Sequence, residues 1–286
     1  MISDITLGQF FPGYSVIHKL DPRTKILLTT MFIVTVFIAN NPLTLMFLGI
    51  TTIALILLSR ISFSAIFKAV KPLVFILAFT AILNIFMTPA QSEPLIEFWV
   101  IKIYAEGLAR AAFMFFRVII FILSSTVLLT YTTSPISLTD GIESLMSPLK
   151  KIKVPVHSFA MMMSIALRFI PILVEETEKI MNAQKSRGAD FSNGSIIKRA
   201  KALVPILIPL LASAFNRADE LATAMECRCY RGDKNRTKLV KLEYKGRDYC
   251  WLVTFVCILV CVICLRILPY KFETSGIISR IFFYKI

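Results

Sequence analysis

Two short arginine-centred elements carry the most specific chemistry in the chain, Ser186-Arg187-Gly188 and Cys227-Arg228-Cys229. Each closes a helical pattern that begins strongly apolar and turns polar towards its end. A guanidinium at a helix C-terminus is favoured by the macrodipole, and its planar fork matches a carboxylate bidentately. As caps alone the two arginines contribute about 0.3–1 kcal/mol each. Repeated at matching places on consecutive helices, they read as two equivalent docking points for two equivalent partners.

Other chemistries lack their residues. No GxxxxGK[ST] phosphate loop occurs, so the chain is not expected to hydrolyse ATP itself. The two histidines, His18 and His157, have no HxxxH or HExxH partner and read as surface or interface residues, not metal ligands. Ser186 has no His and Asp nearby in sequence to activate it. Four of the six cysteines, Cys250, Cys257, Cys261 and Cys264, sit in one apolar block without paired CxxC spacing, as small packing residues would. Arg110 and Arg117 lie seven residues apart on one face of an apolar helix, where snorkelling to the interface is the favoured explanation.

The elements that position the arginines are membranous. The chain has 286 residues, 56% of them hydrophobic, including 23 Phe, and the apolar residues gather in blocks near the roughly 20 needed to span a bilayer. A net charge of +14 reads as topology and lipid contact, and no nucleic-acid partner is expected. Residues 1–19 have no signal-peptide core, so the first block is expected to stay in the mature protein. Asp21 before Pro22 predicts a helix start, with Arg23 and Lys25 at the cytoplasmic edge of the block at 26–39. The turn signal Asn40-Asn41-Pro42 leads into a second block at 43–58, and Lys68 and Lys71 precede a third at 72–87. Residues 88–106 hold Glu93, Glu97 and Glu106 against Lys102 alone, with Trp99 and Tyr104 at interface depth, as an outer loop would. A fourth block follows at 107–131 and a last one at 249–268, which would carry the tail at 269–286 outward.

Between residues 132 and 248 the character changes, with nineteen Lys or Arg against twelve Asp or Glu. That density predicts a cytoplasmic region. Its apolar stretches, 156–174 interrupted by Pro171 and 202–215 with Pro205 and Pro209, are read as helices against or just under the bilayer, with two further spans as the lesser alternative. In the second, Leu211, Phe215, Ala218, Leu221, Ala222 and Met225 recur every three or four residues, leaving Arg217, Glu220 and Glu226 elsewhere. The expected fold is therefore all-α: a polytopic membrane protein with about five transmembrane helices and a cytoplasmic module of long amphipathic helices. Its parts would be residues 1–131 with about four spans, 132–248 with the long helices, and 249–286 with the last span and tail.

Several of these residues together resemble the transmembrane coupling subunit, or T component, of energy-coupling factor transporters, which import vitamins and transition-metal ions. The resemblance is carried by Leu20-Asp21-Pro22-Arg23-Thr24-Lys25, by Ser134-Pro135 and Ser147-Pro148-Leu149, by Ala166-Leu167-Arg168-Phe169-Ile170-Pro171, and by the two arginine elements in that order. It implies a multi-pass subunit of the cell membrane, non-catalytic, working with two ATP-binding-cassette ATPases and a small substrate-binding membrane protein. Ser186-Arg187-Gly188 would meet one ATPase and Cys227-Arg228-Cys229 the other. The face of Leu211, Phe215, Ala218, Leu221 and Met225 would cradle the substrate protein. No cofactor is implied on this chain; ATP and Mg would sit on the partners. The family commonly has Ala-Arg-Gly at the second element, so Cys229 implies either a helix running on past Arg228 or a remade cap. A different class stays open beside it: a stand-alone ion-coupled carrier or membrane enzyme with an anionic substrate at Arg110 and Arg117.

Overall fold

The computed structural model describes residues 13–87, 96–98, 101–189, 196–230, 232 and 242–267. The expected tail at 269–286, the basic run at 234–241 and Trp99 lie outside these residues. The described residues divide into two compact units, one running to residue 134 and resuming at 242, the other lying between residues 135 and 241.

In the first unit, helix α1 (Pro22–Ile38) starts where Asp21 accepts a hydrogen bond from the Arg23 amide at 2.9 Å, with Pro22 in the first turn. Helix α2 (Pro42–Ser59) follows the Asn40-Asn41 turn, the Thr44 hydroxyl accepting from the Asn41 N–H at 3.2 Å. Helix α3 (Phe63–Met87) begins well before its apolar block and contains Pro72. The region read as an outer loop forms a two-stranded antiparallel ribbon, β1 (Ile96–Phe98) against β2 (Ile101–Ile103), with Ile96 opposite Ile103. Helix α4 (Ala105–Ser125) continues into a π-helical turn over Thr126–Thr130, closed by the Tyr131 N–H donating to the Thr126 carbonyl at 3.0 Å. The wider turn shifts the phase of the helix, and Tyr131 is buried with its hydroxyl donating to the Ala65 carbonyl at 2.9 Å. Helix α8 (Gly246–Ile267) lies against α1.

Leu28, Phe32 and Val36 of α1 form the centre of this unit, packed with Leu48, Ile120, Leu128, Phe255 and Val262. The opposite strip of α2, Met46, Ile50, Ile53 and Leu57, is exposed at helical spacing, the pattern of a helix whose second apolar face meets lipid. With lipid as apolar as leucine, such helices associate by close packing. A Cβ built on buried Gly107 would lie 3.2 Å from the Ile85 carbonyl oxygen, so this glycine lets α4 approach the end of α3.

In the second unit, α5 (Pro135–Leu145) and a 3-10 turn (Ser147–Ile152) lead into two very long helices, α6 (Val156–Ser186, 31 residues) and α7 (Ile196–Cys227, 32 residues). Pro171, Pro205 and Pro209 are all carried inside continuous helix. The second apolar stretch, too short to cross a bilayer when counted over 202–215 alone, belongs to a helix that runs on beyond it at both ends. Among the described residues, five helices are long and apolar enough to cross a membrane: α2, α4 with its π turn, α6, α7 from Lys201, and α8. The number agrees with the sequence expectation, but its members differ. α6 and α7 qualify, whereas α1 has 17 residues and the apolar part of α3 is confined to Val70–Phe86.

Candidate functional site

The two arginine elements end α6 and α7 in the same backbone geometry. At the first, the Gly188 N–H donates to the Lys185 carbonyl at 2.9 Å and the Ala189 N–H to the Gln184 carbonyl at 3.0 Å. At the second, the Cys229 N–H donates to Glu226 at 2.8 Å and the Tyr230 N–H to Met225 at 3.1 Å. Both are Schellman caps, with Arg187 and Arg228 as the last residues before the reversal. The left-handed position is held by Gly188 at φ 87° and by Cys229 at φ 55°. Of the two outcomes expected from Cys229, the helix does not run on: the cap is built with cysteine in glycine's place. Serine, arginine and glycine at the first tip, and cysteine, arginine and cysteine at the second, are all exposed. The Ser186 hydroxyl donates to the Asn182 carbonyl at 3.1 Å, back onto its own helix.

Eleven residues before each arginine the helices are tied together. The Arg217 guanidinium donates to Glu176 Oε2 at 3.1 Å and the Ser213 hydroxyl to Glu176 Oε1 at 2.6 Å. Each arm from this joint to its arginine is therefore about 16 Å at the helical rise. The side chains at the joint are part-exposed, Arg217 40% and Glu176 23%, so solvent screens the pair. Sequence reading leaves Arg217 off the apolar stripe of this helix. In the structure it lies on the stripe of α7 that includes buried Ile206 and half-buried Leu210, Ser213 and Leu221. A detectable signal existed: Glu176 and Arg217 stand at the same distance from their respective tips.

The apolar positions of α7 separate into two strips. Leu211, Phe215 and Ala218 are exposed along one, continued upward by Leu207 and Ile208. Leu221 and Met225 are half-buried and belong towards the α6-facing side. Phe215, 69% exposed, is the largest side chain presented by the open strip.

The other candidates are structural. The Arg117 guanidinium donates to the Ala39 carbonyl and to Asn40 Oδ1, and stacks over the Phe113 ring at 4.7 Å. It completes the C-terminus of α1, where snorkelling was expected. His157 Nδ1 meets Glu143 Oε1 at 3.0 Å, joining α6 to α5. All six cysteines are free and exposed, and no cluster of metal-binding side chains occurs among the described residues.

The stretch Leu20-Asp21-Pro22-Arg23-Thr24-Lys25 makes a lock that sequence reading saw only as a helix start with topological charges. Buried Asp248 accepts from the Asp21 N–H at 2.9 Å and, through its other oxygen, from the Lys245 N–H at 2.8 Å, binding the start of α8 to the start of α1. Lys25, also buried, donates to the Thr132 carbonyl at 2.7 Å, at the end of the π turn. Arg23 donates to the Leu242 carbonyl at 3.2 Å and lies over the Tyr244 ring at 5.2 Å. Nothing in local periodicity links residues more than two hundred positions apart.

Comparison with known proteins covers nearly the whole of this arrangement. Residues 13–239 match the CbiQ family model, described as cobalt transport protein. The chain is 52% identical over 268 residues to the energy-coupling factor transporter transmembrane protein EcfT of Clostridium kluyveri, covering 94% of this chain and 97% of that one. It is 48% identical over 257 residues to the protein of the same name in Bacillus subtilis, covering 90% and 96%. With that of Lactococcus lactis subsp. cremoris it shares 44% identity over 255 residues, covering 89% and 95%.

Proposed function

The chain belongs to the CbiQ family of transport proteins as an energy-coupling factor transporter transmembrane component, a multi-pass protein of the bacterial cell membrane, and from that premise we propose that it is the non-catalytic coupling subunit of an ATP-driven importer. Two ABC-type ATPases dock on the two arginine tips, Ser186-Arg187-Gly188 receiving one and Cys227-Arg228-Cys229 the other. ATP and Mg are bound and hydrolysed on those subunits. A small substrate-binding membrane protein for a vitamin or metal ion rests on the exposed apolar strip of Leu211, Phe215 and Ala218, with Leu221 and Met225 at its margin.

The observation that carries this reading is the repetition of one cap: the same hydrogen bonds, a left-handed residue at the same place and an exposed arginine before it, at the end of two linked helices. A guanidinium held at a rigid helix end presents its fork to a carboxylate with little ordering cost on binding. Equal arms from the Glu176–Arg217 joint give two docked subunits the same leverage on one pair of helices. A stand-alone carrier loses its main support, because Arg117 is engaged with the end of α1.

The test is recovery of the ATPases with the tagged chain. Arg187→Glu lowers it, and the double variant with Arg228→Glu abolishes it while membrane insertion persists. Undiminished recovery and transport in the double variant would overturn the proposal.

A further inference from the structure

The two tips are backbone copies, yet at two aligned positions near them the exposed charges are reversed, while Glu178 and Asp219 keep the same sign. Aligning Arg187 with Arg228 places Lys185 against Glu226 and Lys179 against Glu220, all four of them exposed. The first tip thus presents Lys179, Lys185 and Arg187, and the second presents Glu220, Glu226 and Arg228. The cap residue differs as well. A Cβ built on Gly188 would meet nothing within 4 Å, so its position faces open space, and at the second tip the exposed Cys229 side chain occupies the corresponding position. Helix stability accounts for only half of this pattern. A cation in the last turn complements the macrodipole, as Lys185 does, whereas Glu226 opposes it. A local rule broken at an exposed helix end beside the proposed docking arginine points to a role outside the helix.

We infer that the two tips are electrostatic keys for two different ATPase chains: the first fits a groove with an acidic rim, and the second fits a groove that holds a carboxylate for Arg228 and basic groups for Glu220 and Glu226. Rim charges of this kind choose between partners mainly by penalising the wrong one, because like charges brought together at an interface cost affinity. The backbone supplies the shared mode of docking and the side chains supply its direction. This inference rests on the docking proposed above, and its test separates the two.

A photo-crosslinking residue is placed at exposed Asn182 in one variant of the full chain and at the equivalent exposed Thr223 in another, each co-expressed with its ATPases, and the captured chain is identified by mass spectrometry. The expected result is one ATPase chain at position 182 and a different one at position 223. In the exchanged background, Lys179→Glu, Lys185→Glu, Glu220→Lys and Glu226→Lys, the captured chains trade places. In a neutral background, with the same four residues changed to Gln, each position captures both chains, the excess of the native one falling at least tenfold. The Gln set also keeps the test alive where the exchanged set fails to insert. Capture of the same chain at both positions, or an assignment unchanged by either set, overturns the charge key while leaving docking intact. Absence of capture at both positions, together with full ATPase recovery by the Arg187→Glu, Arg228→Glu variant, overturns docking itself.

Discussion

Cys229 adopts a backbone conformation that costs an L-residue roughly 1–2 kcal/mol and costs glycine almost nothing. The cap's two hydrogen bonds hold it there, so the strain is stored at the exposed end of α7. Cys229→Gly is expected to relieve about 1 kcal/mol and to slow amide exchange at Cys229 and Tyr230 about fivefold. Exchange as fast as in the native protein would mean the cap is not strained. Asp248 poses the opposite case, a buried carboxylate whose two oxygens each satisfy a backbone N–H. Asp248→Ala leaves both donors unpaired at about 1–3 kcal/mol each, and also removes negative charge beside buried Lys25. The expected result is a clear fall in the melting temperature of the detergent-solubilised protein, with Asp248→Asn, which keeps one acceptor oxygen, falling less. Equal melting of the native and Ala forms would show that the lock carries no stability.

At the scale of the element, the Glu176–Arg217 joint separates stability from coupling. The pair is part-exposed, so its loss costs about 1 kcal/mol or less. Arg217→Glu sets two carboxylates face to face at the one described place where α6 and α7 are joined by an ion pair. It is expected to keep both ATPases at the tips while uncoupling ATP hydrolysis from uptake, and the exchange Glu176→Arg with Arg217→Glu restores part of it. Recovery of uptake no better in the exchange than in the single variant would show that charge pairing is not what joins the arms. The arginine tips and the Asp21-Pro22 helix start were legible from sequence, because a cap is a local device readable within four or five residues. The joint was not, since an arginine on a helix reads as solvent-facing until the acid opposite it is known. The prolines misled for a related reason. Pro171, Pro205 and Pro209 are local breakers, and only the surrounding helix decides whether a break is tolerated.

At the scale of the membrane unit, the lock and the Arg117 contact fix which helix ends share a side. The starts of α1 and α8 meet through Asp21 and Asp248, and the end of the π turn joins them through Lys25 and Thr132. The other ends meet through Asn41, whose Nδ2 donates to the Leu265 carbonyl at 3.5 Å, and through Arg117 at Ala39. Thus α1 and α8 run in the same direction, and α4 runs against them. Charge counting alone left the side of the C-terminal tail uncertain, because Lys271, Arg280 and Lys285 beyond α8 oppose the simple rule. The contacts decide the end of α8 instead: it lies with Asn40, opposite Arg23 and Lys25. The positive-inside rule then makes the Asn40 side external. In a background with all six cysteines changed to Ser, Asn40→Cys is expected to react with a membrane-impermeant maleimide added to intact cells, and Lys19→Cys only after the cells are opened. The reverse order would invert the topology and put the shared starts of α1 and α8 outside. Equal labelling of both sites in intact cells would mean that the asymmetry of charge does not orient the chain.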